Sequence, residues 1–167
     1  MPRVTFATLL VLLALLQTTV LPMIRVIGIA PNLVLVALLL WSAVREPREG
    51  LLWAFGVGVF LDLLTLTPLG STALALLPVA IIGWLSRSRF FQSGLLFPLL
   101  MTMAATLANT LALLALSPLL NSPLNPLAAV RLAALGALLN VIVAPPLYLI
   151  VQLLNRWIGR DDSYVRA

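Results

Sequence analysis

The sequence predicts an all-α integral membrane protein whose single domain, residues 1–167, is a six-helix transmembrane bundle. Of its 167 residues, 62% are hydrophobic and only 9% are charged, whereas soluble domains carry about 25% charged residues. Six apolar runs are separated by short segments that hold Pro, Gly or Arg, as expected when each run crosses a bilayer. The predicted spans are 4–21, 26–44, 51–66, 71–85, 94–116 and 127–154.

The first two spans meet at a turn that contains Pro and Gly. A cleavable signal peptide is the alternative for the first span, but no cleavage pattern of small residues follows it and further spans come directly after it. The second apolar run is short beyond Pro31, so its helix is predicted to begin near Val26 or to tolerate a kink at Pro31. The charged segment REPRE, 45–49, must then lie in water.

Proline marks the remaining connections. The third and fourth spans form a hairpin closed by TPLG at 67–70, and Pro78 is predicted to kink the fourth helix. A Pro- and Asn-rich loop, 117–126, separates the last two spans. Pro145 and Pro146 are predicted to break the hydrogen-bond ladder of the sixth helix.

Asp62 is the only acidic residue inside any of the long apolar runs. In the third span it lies roughly 17 Å along the helix, past the middle of a bilayer about 30 Å thick. Gly58, Ala54 and Gly50 precede it at four-residue intervals, a small-residue stripe that lets a neighbouring helix approach closely. We favour an Asp turned into the bundle and bonded to a neighbouring helix, a partner or a small cavity. The alternative is an Asp near the membrane interface that caps the turn at 65–70.

The last two spans carry small and amide residues at helical spacing. Ala recurs every four residues in the fifth span, with Thr102 and Ala105 alongside, and the sixth span repeats the pattern. In apolar helices, hydroxyl and amide groups usually bond across helix contacts, so packing is favoured over substrate binding. The candidate packing or partner-binding positions here are Ala104, Ala108, Asn109, Ala112 and Asn140.

The distribution of Arg predicts the orientation. With six spans, eight arginines fall on one side and only Arg25 and Arg131 on the other, so both termini are predicted in the cytoplasm. The four tryptophans agree, because each lies at the predicted cytoplasmic end of a helix. The eight arginines are Arg3, Arg45, Arg48, Arg87, Arg89, Arg156, Arg160 and Arg166.

Catalysis is not predicted. The spans hold one Asp and no His, Cys or Lys, whereas hydrolysis needs a nucleophile with a base and a metal site needs several ligands. We therefore predict no catalytic residue, no metal site and no cofactor. Nucleic acid is also a poor partner, because the arginines are scattered between apolar runs and form no continuous basic face.

Short motifs mark several predicted spans. They are QTTVLP at 17–22, APNLVLV at 30–36, AFGVGVFLDLL at 54–64, PLG at 68–70 and APPLYLIV at 144–151. Together with the length and the six-span layout, they resemble the family of the rod-shape-determining membrane protein MreD. Gly58 and Asp62, followed by Gly70, form the most specific part. That family often has Asp after the Pro of the second helix, where this chain has Pro31 and Asn32, so no carboxylate role carries over.

The resemblance implies a non-enzymatic scaffold subunit of the bacterial cell-elongation complex in the inner, cytoplasmic membrane. It implies that the chain binds the single-span protein MreC and acts with MreB, RodA and the elongation penicillin-binding protein. The expected role is to support side-wall peptidoglycan synthesis and rod cell shape. The resemblance also implies a fold similar to the substrate-binding subunits of energy-coupling-factor transporters, so the alternative is a membrane subunit that binds a vitamin for uptake.

Overall fold

The computed structural model describes residues 2–23, 30–90, 96–118 and 125–158. Within these ranges all regular structure is helical, which confirms the all-α prediction. A single 3₁₀ turn, Leu21–Met23, follows the first helix. The helices are α1 (Pro2–Thr19), α2 (Leu33–Val44), α3 (Pro47–Thr65), α4 (Ser71–Leu85), α5 (Arg87–Phe90), α6 (Leu96–Leu116) and α7 (Pro126–Ile158).

The short helix α2 forms the centre of the bundle. All eleven residues from Leu33 to Ala43 are buried, because α1, α3, α4, α6 and α7 all pack against it. A helix that is apolar on every side has no polar face that must reach water, so other helices can surround it completely. Its twelve residues span about 18 Å, so α2 is much shorter than the bilayer core is thick.

The prediction that the second helix begins near Val26 is wrong. Ala30, Pro31 and Asn32 are not helical, and α2 begins at Leu33. Pro31 has no backbone N–H and Asn32 caps the helix with its side chain, and both features favour a start at this point. Residues 24–29 lie outside the described part of the chain.

Two other helices also differ from their predicted spans. α3 begins at Pro47 rather than near residue 51, because Pro is well suited to the first helical position. α7 continues through Pro145 and Pro146 and ends at Ile158, beyond the predicted end at residue 154, and these two prolines donate no backbone N–H to its ladder. Pro78 lies inside α4, as its place in the fourth span implied.

Three helical segments are long and apolar enough to cross a membrane: Val4–Met23, Leu96–Leu116 and Leu127–Leu153. α2 and α4 are apolar but shorter, with 12 and 15 residues. These lengths are those of a helical membrane protein, in which the short helix α2 is enclosed by its neighbours. The loops predicted at 86–93 and 117–126 fall partly outside the described residues, as does the tail beyond 158.

An aromatic cluster closes one end of the bundle. Phe6 of α1 stacks on Trp41 of α2, with ring centroids 3.8 Å apart, and meets Trp53 of α3 edge-on at 5.7 Å. The guanidinium carbon of Arg45 lies 5.1 Å from the Trp41 ring centroid, a cation–π distance. The start of α1, the end of α2 and the start of α3 therefore lie together.

Candidate functional site

The turn between α3 and α4 is built around the buried carboxylate of Asp62, which is only 1% exposed. Oδ1 accepts hydrogen bonds from the hydroxyls of Thr67 (2.9 Å) and Ser71 (3.0 Å) and from the backbone N–H of Thr72 (3.0 Å). Oδ2 accepts the backbone N–H of Gly70 at 2.8 Å. We call these five residues the Asp62 centre. Its carboxylate has a hydrogen-bond donor on both oxygens.

The Asp62 centre acts as an N-cap that is supplied from the preceding helix. Gly70 is the N-cap residue of α4, and it has no side chain that could accept a capping hydrogen bond. The Asp62 carboxylate instead accepts hydrogen bonds from the backbone N–H groups of Gly70 and Thr72. A carboxylate at a helix start also interacts favourably with the helix dipole. Leu66 (φ 54°) and Gly70 (φ 92°) are left-handed, and these two residues turn the chain back towards Asp62.

The stripe of small residues that precedes Asp62 faces the interior. Gly50, Ala54 and Gly58 are all buried. A Cβ on Gly58 would lie 2.6 Å from the backbone N of Ala73 and closer still to its Cα, so α3 and α4 are in backbone contact there. A Cβ on Gly50 would meet the Ser42 hydroxyl at 2.6 Å. The structure therefore places this stripe in contacts within the chain, with α4 and α2.

Asp62 thus has contacts from both interpretations, with the turn after α3 and with the neighbouring helix α4. The residues that donate to it include Ser71 and Thr72 in the first turn of the neighbouring helix α4. The four groups that donate to the carboxylate lie between Thr67 and Thr72. The carboxylate is consequently engaged within the chain before any partner binds.

A second polar centre lies at the start of α2. The backbone N–H of Asn32 donates to Oδ1 of Asn140 at 2.6 Å, and that of Val34 donates to Oε1 of Gln17 at 3.1 Å. Oδ1 of Asn32 accepts from the backbone N–H of Leu35 at 2.9 Å. Because a helix start leaves its first N–H groups without partners, side chains from α1 and α7 here complete the buried end of α2.

The amide of Asn140 extends this centre to α6. Its Nδ2 donates to Oγ1 of Thr106 at 2.9 Å, and the Thr106 hydroxyl donates to the carbonyl of Thr102 at 2.8 Å. Asn140 is 1% exposed and Thr106 is 6% exposed. We call Gln17, Asn32, Thr106 and Asn140 the Asn140 centre, which ties α1, α2, α6 and α7 together.

The packing face of α6 lies beside the predicted alanine stripe. Ala104, Ala108 and Ala112 are only half-buried, at the edge of the buried face, and their part in packing or partner binding stays a prediction. The buried residues of α6 are Pro98, Thr102, Ala105, Thr106 and Asn109. The hydroxyl and amide residues of this face bond or pack at the helix interface, whereas Ala offers no such bond. Pro31 and Gly70 are also half-buried.

Asn109 stands apart from both centres. Its side chain is only 9% exposed, yet its Oδ1 has no hydrogen-bond partner. It lines an open cavity of about 260 Å³ between the start of α2, α6 and α7, which we call the Asn109 cavity. Asn32, Thr106 and Asn140 also line this cavity, so it borders the Asn140 centre.

Sequence reasoning missed two members of the Asn140 centre. Gln17 was named only as part of the motif at 17–22, with no packing role, and Thr106 was not singled out. Each is a polar side chain inside an apolar run, which is the one signal that marks such positions for hydrogen bonding. In the described part of the chain, no group of three His, Cys, Asp or Glu side chains could hold a metal ion.

The family model described as rod shape-determining protein MreD matches residues 2–158 of the chain. The chain belongs to the MreD family. The resemblance drawn from the short motifs is thereby confirmed, and the match includes every residue of both polar centres. Membership makes the chain a membrane protein of a family that determines rod shape.

Two further comparisons bear on this member of the MreD family. No curated protein matches the chain, and no solved structure matches it. The similarity to substrate-binding subunits of energy-coupling-factor transporters therefore stays an expectation from the resemblance.

Proposed function

We propose that this MreD-family chain is a non-enzymatic scaffold subunit of the bacterial cell-elongation complex. In this proposal it binds MreC in the inner membrane and acts with MreB, RodA and the elongation penicillin-binding protein in side-wall peptidoglycan synthesis. The observation that carries the proposal is the family match over residues 2–158. A scaffold also suits a chain whose intramembrane carboxylate serves to hold two helices together.

We further propose six spans with both termini in the cytoplasm. The aromatic cluster supports this orientation, because it brings Trp41, Trp53 and Arg45 to the same end of the bundle. Arg is typical of the cytoplasmic side of a membrane protein, and Trp marks a membrane interface on either side. The short helices α2 and α4 then cross only part of the bilayer, and the other helices enclose α2.

The alternative, a vitamin-binding transport subunit, has one observation in its favour. The Asn109 cavity is lined by amide and hydroxyl groups. Its volume of about 260 Å³ is below the range of about 300–1,000 Å³ that small-molecule sites usually have. We therefore rank this function second.

The test is co-purification of the tagged full-length chain in mild detergent, followed by mass spectrometry of bound proteins and of extracted small molecules. The scaffold proposal predicts recovery of a single-span coiled-coil protein together with cell-wall synthesis enzymes. A stoichiometric vitamin-like ligand, or an ATPase module in place of those proteins, would contradict the scaffold proposal and support the transport subunit.

Asp62→Asn provides the matched control in the same experiment. The substituted amide keeps the shape of the Asp62 side chain and still accepts hydrogen bonds through one oxygen. If binding is a property of the folded bundle, partner recovery should follow the fraction of the variant that elutes as folded protein. Full folding with complete loss of the partner would instead place Asp62 in the interface.

A further inference from the structure

The turn between α3 and α4 presents apolar side chains, whereas turns in water are dominated by Gly, Pro, Asn, Asp and Ser. Leu66 is 93% exposed and Leu69 is 67% exposed, and Pro68 between them is also exposed. Leu63, near the end of α3, is 58% exposed. We call Leu63, Leu66 and Leu69 the hairpin tip, an apolar surface that the described part of the chain leaves uncovered.

The backbone at the tip makes Leu66 an unusual residue for a turn in water. Its φ is 54°, in the left-handed region where the residue that ends a helix is usually Gly or Asn. A residue with a Cβ adopts this conformation only at a cost, and an exposed Leu gains nothing in water to offset that cost. Contact with hydrocarbon does offset it, because the apolar side chain is removed from water.

The polar hydrogens of the same turn are bonded inside the hairpin. The backbone N–H groups of Gly70 and Thr72 and two hydroxyls of the Asp62 centre donate to the carboxylate. The backbone N–H groups of Leu66 and Thr67 donate to the carbonyl of Asp62. In hydrocarbon such groups must be bonded within the protein, because water is not present to bond them. The Asp62 centre meets that requirement for these donors.

The hairpin is also shorter than a bilayer is thick. α4 has 15 residues and spans about 22 Å, against a hydrocarbon core about 30 Å thick. On α3, Trp53 lies in the aromatic cluster, which we assign to one membrane interface, and Leu66 lies about 20 Å farther along the chain. The hairpin tip therefore ends roughly 10 Å short of the opposite interface.

The first helix starts from the same end of the bundle but reaches farther. Phe6 meets Trp53 in the aromatic cluster, and the apolar segment Val4–Met23 is long enough to cross a membrane. Met23, at the end of that segment, is 87% exposed, a value close to that of Leu66. Met23 and Leu66 therefore differ in their expected depth in the bilayer and not in how much protein covers them.

We propose that the hairpin tip lies in the hydrocarbon of the leaflet opposite the aromatic cluster, in contact with lipid acyl chains and not with water. α3 and α4 then enter the membrane from the aromatic end and turn before they reach the opposite surface. This inference rests on the proposed membrane arrangement and needs no protein partner. The proposed side of the termini is unchanged, because a hairpin returns the chain to the side from which it came.

The test uses single cysteines, because the chain has none of its own. Leu66→Cys, Met23→Cys and Glu46→Cys are each reconstituted in nanodiscs of dioleoyl phosphatidylcholine, which leave both membrane faces open to a membrane-impermeant maleimide. We expect Leu66→Cys to react at least about tenfold more slowly than the other two, because a thiol in apolar surroundings does not form the reactive thiolate. Equal rates for Leu66→Cys and Met23→Cys would overturn the proposal.

Bilayer thickness distinguishes lipid from protein as the cover of the tip. In thinner nanodiscs of dimyristoleoyl lipid, the rate for Leu66→Cys should rise towards that for Met23→Cys, because the shorter hydrocarbon core no longer covers the turn. A rate that stays low in both bilayers would mean that protein shields Leu66, and the proposal would then be wrong. Slow reaction of both Met23→Cys and Glu46→Cys would contradict the membrane arrangement on which the proposal rests.

A polar substitution at the tip gives an independent measurement. Asn is well tolerated in the left-handed region, so in water Leu66→Asn would leave the unfolding temperature unchanged or raise it. In hydrocarbon the new amide has no water to bond, so we expect the unfolding temperature of the variant in dioleoyl nanodiscs to fall. An unfolding temperature equal to that of the wild type, or above it, would place the tip in water and contradict the proposal.

Discussion

The two polar centres bury comparable groups but collect their partners from very different parts of the chain. Asp62 bonds to residues five to ten positions away, all in one turn and the first residues of α4. Asn140 bonds to residues 34 and 108 positions away. The Asp62 centre is therefore a local device that shapes a hairpin, whereas the Asn140 centre forms only when four helices have packed.

This difference has consequences for stability. The Asp62 centre gathers four hydrogen bonds on one carboxylate, so one substitution removes them all. The Asn140 centre divides its bonds among several side chains, and each loss leaves the others in place. We expect larger single-site effects at the Asp62 centre, although both centres hold short helices at positions where their N–H groups would otherwise be unpaired.

The strongest test of the comparison is Asp62→Leu. It leaves four donors around a buried site without their acceptor, and each such donor costs about 1–3 kcal/mol when water cannot replace the bond. We expect the free energy of unfolding to fall by about 4 kcal/mol or more, measured by denaturation in mixed micelles. Leu63→Ala is the control, because Leu63 is 58% exposed. A loss below about 1 kcal/mol would show that the carboxylate is not central to the turn.

The packing that brings α4 to Asp62 is tested by Gly58→Ala. Its new Cβ would lie 2.6 Å from the backbone N of Ala73, so the two helices must separate, at a cost of about 3 kcal/mol. Gly56→Ala is a matched control on the same helix, because its Cβ would meet nothing within 4 Å. That substitution should be neutral or stabilising by up to about 1 kcal/mol. Equal effects in the same unfolding measurement would contradict the close α3–α4 contact.

Asn140→Leu examines the long-range centre. This substitution removes the acceptor for the Asn32 N–H and the donor to Thr106. We expect the free energy of unfolding to fall by about 2 kcal/mol. A double-mutant cycle with Thr106→Val should give a coupling of about 0.6 kcal/mol, typical of hydrogen bonds between membrane helices. Strictly additive effects would mean that the bond between the two side chains contributes no stability.

The smallest expected effect is that of Gln17→Met. Gln17 supplies one acceptor, for the Val34 N–H, and Met retains most of its side-chain volume. Loss of one capping hydrogen bond should lower the free energy of unfolding by about 1 kcal/mol. The measurement is the same denaturation in mixed micelles as for the other variants. Leu16→Met, at a site that is 42% exposed, controls for the introduced Met. An effect as large as that of Asp62→Leu would abolish the distinction between the two centres.

Much of the fold was predictable because it depends on local features. Composition alone predicts a helical membrane protein, since few polar residues remain for anything else, and Pro and Gly punctuate the helices. The errors lie where a neighbouring helix changes the outcome. α2 begins at Leu33 because side chains from α1 and α7 complete its start. α7, by contrast, continues through Pro145 and Pro146 as its predicted span of 127–154 did, because helices in a bundle tolerate the loss of backbone bonds.

The residues of the two polar centres divide in the same way, into those set by neighbours along the chain and those set by distant helices. Asp62, Gly58 and Gly70 could be singled out from a window of 13 residues. An acidic side chain in an apolar run needs hydrogen-bond donors, and the tight turn that follows it supplies several donors. The choice among neighbouring faces of α6 could not be made in this way, because a shift of one residue moves a stripe about 100° around a helix. Ala104 and Ala108 were therefore favoured over Thr106, which makes the contact.

The sequence by itself determined the class of protein, its family and the chemistry of the α3–α4 turn. Those properties depend on composition and on residues that are neighbours along the chain. Only the tertiary structure decided that α2 is the enclosed helix, that Asn32, Thr106 and Asn140 meet, and that Asn109 is left without a donor. The physical reason is that contacts between distant helices are set by which faces pack, and many faces of an apolar helix are equally apolar.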